Sequence, residues 1–479
     1  MNDLGYKLLV DKTVKRRIAI LTALSETTHP LSLETIRTFN NSSIITLQND
    51  ITFLLDSFPN DLKIVDYNDS ASLQKLNYSH KITNYINTLI QDSPLYFIIE
   101  CLFDGKKEPL GYYSDTLFLS ESTLRKHLNI LKGVLKDYHI TLSLNPLELI
   151  GKEINIRYFY FQYFRYSHTS SVLSVKQEHL TFIYDTLKEM IKKYGLVLNV
   201  DYYRVASWTL IFERRLSQGH YITFPPSLYD EFRHKNSFIK FNTAVREHFS
   251  KISDWPKLTN DEILFAYLVR LDTLIYEDDK PYFTDDYFDQ LNVYDELTTS
   301  FFSSMNISLS LNIPLKIKLQ AYLMNLNVLC KLSPLFQQNH AQLKRMVEMD
   351  YPETLKIWNN LLQGTTLFEY PYDVAASLTL LTHVNLKQTK RVLFALTGEP
   401  SSITYYKALA AQCVPKEVDM FFLLNQPLNE TVLENMSIDI CVSNLATDLH
   451  SETTTLFKLS EIPLNSEWSE LLNLLHSVN

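Results

Sequence analysis

One order of local signals occurs twice within the first 150 residues, and few folds are open to a chain that repeats it. In the first pass Val14, Ile18, Leu21 and Leu24 recur at helical spacing, with Lys12, Lys15, Arg16 and Arg17 crowding the start. Residues 27–30 (Thr-Thr-His-Pro) break this helix. Ser32 caps a short second helix over Leu33–Phe39, and Asn40-Asn41 supplies a turn that tolerates positive φ. A third helix places Ile44, Leu47, Ile51, Leu54 and Leu55 on one face and Ser43, Thr46, Gln48, Asn49 and Asp50 on the other. After Pro59-Asn60-Asp61, residues 62–67 and 73–78 pair as a hairpin.

The second pass has helices over 82–90 and 94–103, a short helix over 110–117, and then Leu119-Ser120-Glu121-Ser122-Thr123-Leu124-Arg125-Lys126. Ser120 caps a helix whose stripe is Leu124, Leu128, Leu131 and Leu135, while Arg125, Lys126 and Asn129 point away from it. Residues 140–144 and 147–150 form a second hairpin around Asn145-Pro146. Three helices, a short turn before the third, and a hairpin make the outline of a winged helix-turn-helix. Such a helix fits the major groove of duplex DNA, with its polar N-terminal face reaching base edges and phosphates. The expected backbone contacts are Lys12, Lys15, Arg16, Arg125 and Lys126. The expected groove-facing residues are Thr46, Gln48, Asn49 and Ser122, with the capping residues Ser43, Ser120 and Thr123 beside them. His127 reads as a surface helix residue rather than a ligand.

Composition sets the remaining limits. A 479-residue chain with 46% hydrophobic and 21% charged residues is a folded protein of roughly three to five domains. Residues 1–168 hold 18 basic and 18 acidic side chains, so the rest carries the whole net charge of −9. A neutral N-terminal third on an acidic body permits a local basic face without demonstrating one. Cys101, Cys330, Cys413 and Cys441 are isolated and read as buried thiols in a reducing compartment. No run of about 18 apolar residues exists to span a membrane, and the N-terminus lacks the pattern of a signal peptide, so a cytoplasmic location is expected. Only 9 glycines leave little room for phosphate-cradling loops. HExxH, GxSxG, Walker and calcium-loop patterns are all missing. The expectation is therefore a protein that is not an enzyme and needs no metal or cofactor.

The second unit, together with the segment from His139 to Phe164, resembles the Mga/AtxA family of Gram-positive virulence and global regulators. The most telling stretch is the Gly151-x-Glu153-x-x-Ile156-Arg157 step into an aromatic-rich helix. The resemblance covers essentially the whole chain in order and length, and the enterococcal MafR type looks closest. It implies two N-terminal DNA-binding domains (1–80 and 81–168), two helical phosphotransferase-regulation domains (172–288 and 289–387) and an enzyme IIB-like domain (388–479). It also implies a homodimer formed through the C-terminal half, and phosphocarrier proteins of the sugar phosphotransferase system as partners.

Periodicity in the middle independently reads as all-helical, over 175–194, 202–218, 227–249, 261–276, 285–304, 315–332, 339–358 and 375–387. Its aromatics, among them Phe283, Tyr287, Phe288 and Tyr294, read as core. Where related regulation domains place phosphorylatable histidines, this chain has Ser207-Trp208 and Arg270, which leaves His220 and His383 as candidates. Strands over 391–396, 419–424 and 438–442, with helices over 402–411, 426–434 and 466–476, predict a small α/β domain with a largely parallel sheet. Enzyme IIB carries a Cys just after the first strand. Here that loop reads Thr397-Gly398-Glu399-Pro400-Ser401-Ser402, and Cys413 falls beyond the helix. The leading expectation is a DNA-binding regulator. The alternatives are an RNA-binding antiterminator with the same regulation domains and, third, a phosphotransfer protein.

Overall fold

The computed structural model describes residues 3–27, 29–68, 70–76, 79–90, 93–166, 181, 184–186, 188–189, 193, 200–250, 257–276, 291–305, 307, 309, 312–385, 391–414, 418–429, 432–433, 436, 438–445, 454–460 and 462–477. Two compact units divide the chain. One comprises residues 1–305 with 314–382, and the other residues 306–313 with 383–479. The chain is mainly helical and multidomain, with a small sheet domain at its C-terminus.

The first unit begins with α1 (Asp3–Lys7), α2 (Lys12–Glu26), β1 (Leu31–Ser32), α3 (Leu33–Phe39), α4 (Ile44–Ser57), β2 (Leu62–Tyr67) and β3 (Ser70–Lys75). Asp11, Ser32 and Ser43 cap α2, α3 and α4, each side chain accepting from backbone N–H groups of the first turn. The hairpin pairs Ile64 with Leu73, so β3 starts three residues earlier than the pattern suggests. The two-residue strand β1 pairs antiparallel with β3 and adds a third strand that periodicity is too short to reveal.

Next come α5 (Ser79–Ile90), α6 (Pro94–Phe103), α7 (Leu110–Thr116), α8 (Glu121–Lys136), β4 (Thr141–Leu144), β5 (Leu147–Ile150) and α9 (Glu153–Tyr166). Helix α5 buries Ile82, Ile86 and Ile90 and packs chiefly on α2. Its Tyr85 stacks on Phe58 at 3.8 Å between ring centres and donates to Asp61. The antiparallel pair β4–β5 ends at Gly151, where an added Cβ would lie 3.2 Å from the carbonyl oxygen of His139. A side chain there would press on the backbone at His139, which would have to give by a few tenths of an ångström.

The helical body runs through α10 (Tyr202–Ser217), α11 (Pro226–Phe232), α12 (Asn236–Phe249), α13 (Asn260–Val269), α14 (Asp295–Ser304), α15 (Ile313–Cys330), α16 (Ala341–Asp350), α17 (Pro352–Gln363) and α18 (Pro371–Asn385). Three expected helices are broken. Residues 227–249 divide at 233–235, because Phe232 and Phe238 would sit about 120° apart on one continuous helix. Divided, both rings reach Tyr267, at 6.1 and 5.1 Å. Residues 339–358 divide at Pro352, which cannot continue a helix from within it. Residues 261–276 pass into a 3-10 turn at Arg270–Thr273. Most of 175–194, the start of 285–304, and Phe283, Tyr287 and Phe288 lie outside the described residues. Tyr294 is buried, as expected of core.

A buried ion network ties α9 to this body. The Arg157 and Glu262 side chains are both 0% exposed, and Arg157 donates from Nη1 and Nη2 to the two Glu262 oxygens at 2.7 and 2.9 Å. Arg157 also donates to Glu153 at 3.0 Å and to the backbone oxygen of His220 at 2.9 Å. Arg215 holds Glu153 through two bonds of 2.9 and 2.8 Å, and the Ile222 N–H donates to Glu262 at 2.7 Å. Phe212 and Phe265 lie against the Arg157 guanidinium at 5.5 and 5.2 Å.

In the second unit, β6 (Arg391–Leu396), α19 (Pro400–Cys413), β7 (Asp419–Leu424), β8 (Ile440–Ser443), β9 (Thr455–Lys458) and α20 (Asn465–Ser477) build a four-stranded parallel sheet in the order β7-β6-β8-β9. Side chains of β6 alternate. Val392, Phe394 and Leu396 face one core with Trp468 and Leu475, and Leu393 and Ala395 face another with Cys441. The strand β9 is an addition to the three expected. The expected helix over 426–434 falls partly outside the described residues.

The ion network generates a stability prediction. Arg157→Ala strands Glu262 as a buried unpaired charge and should cost about 3–5 kcal/mol. Arg157→Met with Glu262→Met should recover much of that loss in denaturant titration. A double variant no more stable than Arg157→Ala would show that the pairing of these two charges is not what the site depends on.

Candidate nucleic-acid interface

Both third helices are positioned by one device. In α4 the Thr46 N–H donates to Ser43 Oγ at 3.2 Å and the two hydroxyls lie 2.9 Å apart. In α8 the Thr123 N–H donates to Ser120 Oγ at 3.2 Å, and those hydroxyls also lie 2.9 Å apart. The caps set a common register, in which Ile44, Ile45, Gln48, Asn49 and Asp50 correspond to Glu121, Ser122, Arg125, Lys126 and His127. Leu47 and Leu124, one position past each capping threonine, are both buried.

The outer faces differ sharply. On α8, Ser122, Arg125, Lys126 and Asn129 are exposed, and Arg125 makes only a 3.6 Å pair with Glu121 one turn back. That exposed pair leaves the guanidinium available to a stronger anion. On α4, Gln48 and Asn49 are exposed and Thr46 is half-buried. Lys12 is exposed at the start of α2, whereas Lys15 is half-buried with its ammonium 5.3 Å from the Tyr6 ring centre.

Three expectations require correction. Asp50 does not lie on the polar face of α4. It is 2% exposed, and Arg16 and Arg17 bind it at 2.7 and 3.1 Å. Arg16 is thereby engaged with Asp50, its side chain 25% exposed. Its role is to fasten α2 to α4. Ile44 does not belong to the apolar face. It is 64% exposed and its neighbour Ile45 71%. His127 is half-buried rather than a surface residue, and its Nδ1 is buried without a hydrogen-bond partner. It lines a cavity of about 390 Å³ with Leu9, Val14, Leu89 and Leu119. Phe118, in the turn between α7 and α8, gives no signal in the sequence. It sits at φ 53° and is 96% exposed.

The two candidate phosphoacceptor histidines occupy different settings. His220 is half-buried just past α10, its backbone oxygen held by Arg157. His383 is exposed in the last turn of α18. In the loop after β6, Thr397 N–H donates to Asn444 Oδ1 at 2.8 Å and Gly398 N–H to Asn425 Oδ1 at 3.1 Å. Asn444 and Asn425 donate back to the carbonyls of Thr397 and Gly398. The backbone N–H groups of Thr397 and Gly398 are thus both occupied by side-chain amides. Cys441 is buried on β8, where burial pushes its thiol up to about 11. Cys101 is buried, but Cys330 is only half-buried, and the Cys413 side chain lies outside the described residues. No described helix is long and apolar enough to cross a membrane.

Comparison with known proteins bears on the second of these helices. The family model for the Mga helix-turn-helix domain matches residues 78–164, which contain α8 and its hairpin. Across 96% of this chain and 98% of the relative, the sequence is 20% identical to the capsule synthesis positive regulator AcpB of Bacillus anthracis. It is 22% identical to the capsule synthesis positive regulator AcpA of the same organism over 45% of each chain.

The two half-buried imidazoles generate a pH prediction. Burial lowers the pKa of His127, and burial followed by the Arg215 charge lowers that of His220, from an ordinary value of 6.5. Both histidines therefore bind a proton more weakly folded than unfolded. Their contribution to stability is whole above about pH 6.5 and is lost as the pH falls from there through their lowered folded-state values. The thermal midpoint should drop between about pH 7 and 5.5, and His127→Gln should flatten the drop. A slope unaffected by His127→Gln and by His220→Gln would contradict the assignment.

Proposed function

The chain belongs to the Mga/AtxA family of transcription regulators, which are not enzymes, and on that premise we propose that its two N-terminal units are winged helix-turn-helix modules that grip duplex DNA together. The observation that carries this reading is the matched pair of Ser-capped helices, α4 and α8, in one register with their first turns open to solvent. An α-helix fits the major groove, and the hairpins β2–β3 and β4–β5 stand where wings would follow the backbone. Lys12, Lys15, Arg125 and Lys126 supply the phosphate contacts. Thr46, Gln48, Asn49 and Ser122 face the groove, with Ser43, Ser120 and Thr123 fixing the helix starts. The exposed candidates on α4 include no Arg for a bidentate guanine contact, so DNA shape carries much of the preference.

The helical body acts as the regulatory part, with two phosphotransferase-regulation domains, and the C-terminal α/β unit as an enzyme IIB-like module without phosphocysteine chemistry. The closed loop after β6 supports the latter. If phosphocarrier proteins signal to this chain, His220 is the better placed acceptor. Its backbone is tied to Arg157, so added phosphate charge would bear on the ion network that holds α9. Self-association runs through the C-terminal half, where the edge strand β7 leaves Met420, Phe421, Phe422, Leu423 and Leu424 only half-buried.

Two measurements test the proposal. Gel shifts over a salt series should show binding to duplex DNA in preference to single-stranded RNA. Arg125→Ala with Lys126→Ala should flatten the salt dependence by about one unit of slope per lost contact. An unchanged slope and affinity would remove these residues from the interface, and a preference for RNA would favour an antiterminator. Light scattering at tens of micromolar should give twice the chain mass, and a monomer with and without DNA would end the dimer assignment.

A further inference from the structure

We propose that Ile44 and Ile45 read the 5-methyl groups of thymine in the major groove, which makes the first unit a sensor of methyl positions while the second binds mainly by charge. The inference rests on the DNA-binding reading above and adds what the first unit recognises. Ile44 and Ile45 are the first two residues of α4, 64% and 71% exposed, directly after the capping Ser43. In a helix-turn-helix the first turn of the second helix comes nearest the base edges. A branched aliphatic side chain there has no hydrogen bond to offer. The apolar group on that floor is the thymine methyl, which uracil and cytosine lack.

The common register of the two helices sharpens the argument. At the same two positions α8 carries Glu121 and Ser122, and one turn later it has Arg125 and Lys126 where α4 has Gln48 and Asn49. The second helix thus presents cations suited to phosphates, and the first presents two methyl-bearing side chains followed by two amides. Asn and Gln pair with the N6 and N7 atoms of adenine. An isoleucine pair ahead of an amide pair therefore matches an A·T step on both of its bases. Their exposure is also not what folding requires. The apolar face of α4 is completed by Leu47, Ile51 and Leu54, each no more than 5% exposed, and Ile44 and Ile45 add nothing to it.

The test uses the full chain and three rounds of comparison between duplexes that differ only in methyl groups. The first compares a thymine duplex with its uracil counterpart. The second compares a G·C-rich duplex with the same duplex carrying 5-methylcytosine, which places a methyl at the equivalent groove position. The third repeats both comparisons in high salt. Wild-type protein should prefer the thymine duplex by roughly four- to fifteen-fold, the effect of burying one or two methyl groups. It should also prefer the methylated G·C duplex. Ile44→Ala with Ile45→Ala should retain the uracil affinity and the salt slope while losing both preferences, since neither side chain belongs to the core. Arg125→Ala with Lys126→Ala should weaken all duplexes and leave the ratios intact. Equal wild-type affinity for thymine and uracil duplexes overturns the proposal while leaving DNA binding standing. A thymine preference that survives in the double isoleucine variant overturns it too, by showing that DNA shape is what is read. If that variant becomes monomeric and loses every duplex alike, the pair is a contact between protein copies and the proposal fails. Failure of the wild type to shift any duplex removes the DNA-binding reading itself.

Discussion

Burying an arginine and a glutamate with no exposed surface is costly unless every lone pair and proton finds a partner. The Arg157–Glu262 pair meets that condition with help from Glu153, Arg215, the His220 carbonyl and the Ile222 N–H. The pair joins positions 105 residues apart. Glu153 and Arg157 sit on the first turns of the helix that leaves the second hairpin, and the other members belong to the helical body. Charge and hydrogen bonds thus connect the body near His220 to the base of the second hairpin. A buried network tolerates few geometries, and a change in one partner shifts the whole set rather than one contact.

The two N-terminal units show how one local device can support different surfaces. Each uses a serine cap locked by a threonine three residues on, which fixes where the helix begins and which residues occupy its first turn. Behind that turn the units solve the same packing problem with different chemistry. Asp50 is bound by Arg16 and Arg17, while His127, at the matching position, faces a small cavity with one nitrogen unpartnered. In front of it, one unit presents cations and the other isoleucines and amides. Two units of equal outline thus offer a ligand unlike surfaces.

In the C-terminal unit the sheet is parallel and covered on both faces, which is what its alternating strands and helices predict. The loop after β6 is closed by two asparagine side chains. Asn425 and Asn444 each close a two-way exchange with the backbone of Thr397 or Gly398. Side-chain amides fill the space and the donors at once. The sequence shows only that the cysteine is missing. The structure adds that the backbone of Thr397 and Gly398 is already paired.

Helix starts, the two hairpins and the parallel tail are legible in the sequence because each is decided by neighbours within a few residues: a capping hydroxyl, a two- or four-residue period, a turn-forming pair. Pro352 is equally legible, yet the helical period on either side of it conceals the break. What the sequence could not disclose depends on residues far apart in the chain. Nothing in the vicinity of Asp50 says that Arg16 and Arg17 will enclose it, so a carboxylate on a polar-looking face is assigned to solvent. Ile44 fits the apolar period of α4, yet only the position of the neighbouring helices determines whether the first turn is covered. Sequence determined the caps, the periods and the family resemblance through local sterics and hydrogen bonding. Tertiary structure decided which charges are consumed inside and which hydrophobic side chains remain outside, because burial is set by where distant elements come to rest.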